Sequence, residues 1–151
     1  MQRKGLNILV GVAAFIGISL PVLADTTPED AKDYRSAIMT ALRGHIGASS
    51  MIVRGLVENN GQLLGHAEGL SSTASELHGI FPEGSAVGES EALPAIWEKP
   101  DEFAAAVDKL IAATAAFEEA AAGGDAEAIG AAFREVGMSC RGCHDNFRQS
   151  D

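Results

Sequence analysis

The chain reads as an all-α domain, an antiparallel four-helix bundle, on three observations. Apolar residues recur at three- and four-residue steps in four separate stretches. Helix-start and helix-stop residues bracket those stretches. No run alternates apolar with polar residues as a half-buried strand would, and no repeat or glycine-rich phosphate loop is present. Four amphipathic helices joined by mostly short connections bury their stripes by packing as a bundle, and such an interior can hold a cofactor between facing helices.

Residues 1–24 stand outside that domain. Arg3 and Lys4 lead into an apolar run from Ile8 to Leu20, and Pro21-Val22-Leu23-Ala24 closes it before the acidic Asp25. The pattern is that of a cleaved secretory signal, with an apolar core too short for a comfortable membrane span. The remaining residues, 25–151, suit one compact domain.

Thr27-Pro28-Glu29-Asp30 opens the first helix with a hydroxyl cap, a proline at the first helical position and two acids in the first turn. Ala31, Tyr34, Ile38, Ala41, Leu42 and Ile46 then mark its apolar stripe, which predicts a helix to about Val57. Gly61 opens a second helix along Leu63, Ala67, Leu70, Ala74 and Leu77, ending before Pro82. The connection from Pro82 to Pro100 contains Gly84, Gly88 and Pro94 and is long for a structureless loop in a small domain. It is therefore expected to pack, with Ile96 and the single tryptophan, Trp97, as its apolar anchor.

Pro100-Asp101-Glu102 starts the third helix, which carries Phe103, Val107, Leu110, Thr114 and Phe117 on one face and stops at Gly123-Gly124. Asp125 caps the fourth, whose stripe of Ile129, Ala132, Phe133 and Val136 continues to Phe147. After removal of the signal, nine Lys and Arg face 21 Asp and Glu, a net charge of −12. That balance excludes nucleic acid and anionic lipid as natural partners and favours a protein partner with a cationic docking surface.

The last helix carries Cys140-Arg141-Gly142-Cys143-His144, which holds the only two cysteines of the chain. At helical spacing two thiols and an imidazole project within about one turn of each other. Zinc needs about four ligands and a thioredoxin-like pair needs a βαβ setting, and neither requirement is met. The spacing is that of covalent haem attachment: the thiols form thioethers to the two vinyl groups of one porphyrin, and the imidazole reaches the iron. The predicted cofactor is one haem c, and the fourth helix is its attachment helix.

A haem motif at the end of a four-helix sequence, together with Tyr34-Arg35 and Met39, Phe81-Pro82-Glu83-Gly84-Ser85, Ile96-Trp97, and Cys140 to Arg148, resembles the cytochrome c′ family, the class II c-type cytochromes. The resemblance implies a left-handed antiparallel bundle in the bacterial periplasm, with His144 as the proximal iron ligand. It further implies Arg35 close to a haem propionate, Arg148 in the proximal pocket, and a tendency to form homodimers. Members divide at the sixth iron position. Some are five-coordinate and bind nitric oxide or carbon monoxide; others place a methionine on the iron and carry electrons.

Met39 is the residue on which that division turns here. Arg35 and Met39 are four residues apart on one helix face, which in the family looks onto the distal side of the haem. Met39 is either the sixth ligand or a soft apolar plug above an open iron. Met138, on the attachment helix itself, and Met51, three turns beyond Met39, are weaker candidates. His45 lies about 240° round the helix from Met39, and His66 and His78 read as solvated surface residues. With no histidine placed as acid or base, an enzyme is not expected. The expected activity is one-electron transfer, with capture of a diatomic gas as the alternative.

Overall fold

A computed structural model of the chain describes residues 26–149. The expected signal at residues 1–24 lies outside the described residues. Four long helices form the bundle: α1 (Pro28–Val53), α2 (Gln62–Ala74), α4 (Pro100–Gly123) and α5 (Ala126–Phe147). A single turn, α3 (Ala95–Glu98), sits in the long connection. Among the described residues there is no strand, only an isolated antiparallel bridge between Ala92 and Arg148. No helix among them is long and apolar enough to cross a membrane.

The caps are those the sequence implies. The Thr27 hydroxyl accepts from the Asp30 amide at 3.1 Å, with Pro28 at the first helical position. The Asp125 carboxylate accepts from the Ala128 amide at 2.8 Å. Gly124, at φ 75°, ends α4 in the left-handed region that a side chain would resist.

Two ends fall short of expectation. Helix α1 stops at Val53 rather than Val57, because Gly55 adopts φ 71° and the chain folds back on the last turn. The Leu56 amide donates to the Met51 carbonyl at 2.8 Å and the Gly55 amide to the Ile52 carbonyl at 2.9 Å, the two bonds of a Schellman motif. Helix α2 stops at Ala74, and a 3₁₀ turn at Leu77–Gly79 follows. There the Ser75 hydroxyl donates to the Ser72 carbonyl at 2.6 Å, and the Glu76 amide turns to the Thr73 carbonyl at 3.2 Å, a side chain competing with the helical ladder. Leu77 stays buried, so the apolar stripe outlasts the helix.

The core runs along the bundle through Leu63, Leu70, Val107, Phe117 and Val136. Phe117 is wholly enclosed, and its ring lies 5.3 Å from that of Phe133. Burying such a side chain contributes about 1.5–3 kcal/mol. Helix α4 packs extensively on both α2 and α5, and α1 on α2. The remaining adjacent pair, α1 and α5, touches far less, so the bundle has one thin seam. Beside this framework the long connection is packed, as its length demands. Ile96 is buried, and the Trp97 indole N–H donates to the Phe81 carbonyl at 3.1 Å.

Candidate haem-attachment site

Cap and phase of α5 deliver the site. Starting from Asp125, the stripe Ile129, Val136 faces the core, and Cys140 follows one turn after Val136 in the same direction. Cys140 is half-buried against the core. Cys143 is also half-buried and lines a groove of about 450 Å³ between α4 and α5, with Ala106, Lys109, Met138 and Phe147. Both thiols are free. Burial pushes both upward in pKa, Cys143 to about 11 with a further contribution from Cys140, so both are protonated thiols at neutral pH. Partial burial holds the His144 imidazole below its usual range, and the Arg148 guanidinium adds to this while Asp145 and Glu91 oppose it. A neutral imidazole is the form that binds a metal.

These residues fit a covalently attached haem. Two unpaired sulfurs and a neutral imidazole emerge within a turn of one helix, and the groove between α4 and α5 opens at Cys143. Among the described residues no group of three or more His, Cys, Asp and Glu side chains could hold a free metal ion.

Arg35 is placed differently from a side chain reaching outward. It is 5% exposed, and four of its five N–H groups are directed into the long connection. Nη1 donates to the Ile80 carbonyl at 3.2 Å and the Ser85 hydroxyl at 2.8 Å; Nη2 donates to the Ser85 carbonyl at 2.8 Å and the Ser90 hydroxyl at 3.2 Å. Its guanidinium carbon lies 5.0 Å from the centre of the Phe81 ring. Only the Nε–H is left for a propionate in this arrangement, so the first role of Arg35 is to fasten residues 80–90 onto α1. Met39, one turn on, is half-buried against the bundle core.

Arg148 ends α5. Its Nε donates to the Glu91 carboxylate at 2.6 Å, and its amide to the His144 carbonyl at 3.1 Å. Met51 and Met138 are exposed, away from the core. His78 is exposed and pairs with Asp108 at 2.9 Å. His66 departs from expectation: it is half-buried, its Nδ1 3.2 Å from Nδ1 of His45, whose ring lies over Gly69. The residues that sequence reasoning missed are Ser85, Ser90 and Glu91. Ser85 stands within the Phe81–Ser85 segment, but nothing in the sequence distinguishes Ser90 or Glu91 from other polar loop residues.

A helical bundle with this motif on its last helix defines the class, a four-helix protein built to carry haem c. A family model described as Cytochrome C' matches residues 30–148. Over 124 residues the chain is 36% identical to the cytochrome c' of Pararhodospirillum photometricum, covering 82% of this chain and 99% of that protein. Over 122 residues it is 40% identical to a cytochrome c-554 of Cereibacter sphaeroides, covering 78% and 91%. Among solved structures, the nitric oxide complex of a leucine-to-alanine variant of cytochrome c prime from Alcaligenes xylosoxidans superposes with a TM-score of 0.77 at 29% identity, over 83% of this chain and 98% of that one. The chain belongs to the cytochrome c′ family, and its cofactor is haem c, covalently held.

Proposed function

We propose that this chain is an exported, periplasmic monohaem cytochrome whose work is one-electron transfer, with residues 1–24 as the cleaved signal and residues 25–151 as the working domain. When bound, the haem supplies an iron that takes up or gives away one electron. Cys140 and Cys143 tether it, and His144 is the proximal ligand. Met39 is the observation that carries the reading: a soft thioether on the interior stripe of α1, one turn beyond the enclosed Arg35 and half-buried against the same core as Cys140. With haem bound, a thioether held there would give the iron a soft donor, a ligand suited to both oxidation states of an electron carrier. Arg35 holds the 80–90 connection on α1, and Arg148 stands beside the proximal ligand. The acidic surface suits a redox partner with a cationic docking face.

A second reading, capture of nitric oxide or carbon monoxide on five-coordinate iron, is supported by the nitric oxide complex of the Alcaligenes relative. In it Met39 is only an apolar plug. One optical experiment separates the two. Electron transfer with Met39 on the iron predicts a low-spin spectrum of the reduced protein that carbon monoxide leaves unchanged; a high-spin spectrum that shifts on adding carbon monoxide establishes the gas-binding reading instead.

A further inference from the structure

Helices α1 and α2 meet at a pair of imidazoles far in sequence from the haem-attachment turn. His45 lies on α1 between buried Leu42 and buried Ser49, and His66 lies on α2 next to buried Ala67, so both rings stand half-buried at the margin of the core. Their Nδ1 atoms are 3.2 Å apart, with the ring planes inclined at 61°. Gly69 makes this approach possible. A Cβ there would stand 2.4 Å from His45 Cε1, 2.6 Å from Nε2 and 2.9 Å from Nδ1, so only a residue without a side chain lets the ring lie against α2 and reach His66, one turn earlier on the same face.

We propose that His45 and His66 form a second metal site, separate from the haem, for a divalent transition ion of the copper and zinc class. Imidazole nitrogen is the common protein donor for these ions, at about 2.0–2.1 Å from zinc. Two such bonds place their nitrogens roughly 3.3–3.4 Å apart at a tetrahedral angle and about 2.9 Å apart at a right angle. The observed 3.2 Å lies between these, so a turn of the rings about their soft χ2 torsions brings both lone pairs onto one ion at the existing helix spacing. In the free pair one Nδ1 carries the proton that the other accepts. On binding, that ring takes its Nε2–H tautomer, both Nδ1 lone pairs face the ion, and no proton need leave the neutral pair. Among the described residues the pair is not part of any group of three or more His, Cys, Asp and Glu, so water fills the remaining positions. The ion is therefore exchangeable, and it staples α1 to α2; the excess of 21 Asp and Glu over nine Lys and Arg in residues 25–151 favours its approach.

The test is titration of the untagged, oxidised, haem-loaded protein with Zn²⁺ and, separately, with Cu²⁺ at neutral pH, followed by calorimetry and by the thermal melt. On the attachment proposed above, the sulfurs of Cys140 and Cys143 are thioethers in that form and offer no thiolate to compete for the ion. One ion per chain is expected, Cu²⁺ more tightly held than Zn²⁺, with a melting temperature that rises with metal concentration. His45→Ala and His66→Ala should each weaken binding about tenfold or more and remove that rise. Gly69→Ala keeps both imidazoles but displaces one, so a similar loss is expected, whereas His78→Ala, at the exposed pair with Asp108, should bind as wild type does. Zinc soaked into crystals and located by its anomalous scattering needs no variant, and it should lie between the two Nδ1 atoms. Uptake of neither ion by the wild type, binding undiminished in His45→Ala, His66→Ala or Gly69→Ala, or zinc found only elsewhere overturns the proposal.

Discussion

Replacing Arg35 with alanine perturbs a buried side chain that makes four hydrogen bonds. It removes four hydrogen bonds from a buried cation to Ile80, Ser85 and Ser90, and with them the stacking on Phe81. A hydrogen bond to a charged group contributes roughly 1.5–3 kcal/mol, and an acceptor left buried without a partner costs about 1–3 kcal/mol. These values do not add, because the connection can relax and admit water to the acceptors nearest the surface. Ser85 is wholly buried, however, and both its carbonyl and its hydroxyl lose their partner. We therefore expect a loss of about 3–5 kcal/mol. A domain of this length has a total stability on the order of 6–19 kcal/mol, so the variant should unfold at markedly lower denaturant. The assay is urea unfolding followed by far-ultraviolet circular dichroism. Arg35→Lys should recover only part of the loss, since three donors on a point-like ammonium cannot span Ile80, Ser85 and Ser90 as a planar fork does. A loss under about 1 kcal/mol for Arg35→Ala would refute the claim that this side chain fastens the connection to α1.

Three further outcomes follow from the structure. A Cβ at Gly69 would stand 2.4 Å from the His45 ring, so Gly69→Ala must expel that ring and break its contact with His66, with a net loss of about 1–2 kcal/mol; in a His45→Ala background the same change should instead stabilise by up to about 1 kcal/mol, and thermal melting of the two pairs checks both signs. The Glu91 carboxyl is held below the usual carboxylate range by Arg148, so its contribution to stability is present above the ordinary glutamate pKa and is lost as pH falls through the lowered one; the stabilities of wild type and Glu91→Gln should differ at neutral pH and converge in acid, and a constant difference down to low pH contradicts the pairing. In the haem-free chain Cys143 should react with a thiol reagent only slowly at neutral pH and progressively faster as pH nears about 11, whereas a profile centred near the ordinary cysteine value would show that the thiol is not desolvated.

Much of the frame is legible in the sequence because it depends on local chemistry. Thr27, Asp125 and Gly124 mark helix ends through bonds made within three or four residues, and the haem motif occupies a single turn of α5. The early stop of α1 is also local, but its signal is one glycine, Gly55, whose positive φ the apolar stripe running on toward Val57 conceals. What cannot be read from a stripe is the partner of a polar residue inside it. Arg35 falls in phase with Ala31, Ile38 and Leu42, but its acceptors lie 45 to 55 residues away, and Glu91 meets Arg148 across 57 residues. His66 reads as a surface histidine because its neighbours are polar; the clue is Gly69 inside a helix, where glycine costs about 1 kcal/mol unless something needs the room. That something is the His45 ring.

If Cys140 and Cys143 hold one haem on α5 of an exported domain, protein recovered from the periplasm has the intact mass of the chain beginning at Asp25 plus one haem, and its colour stays on the protein in acidic acetone. A mass equal to the polypeptide alone, or haem that extracts freely, would contradict it.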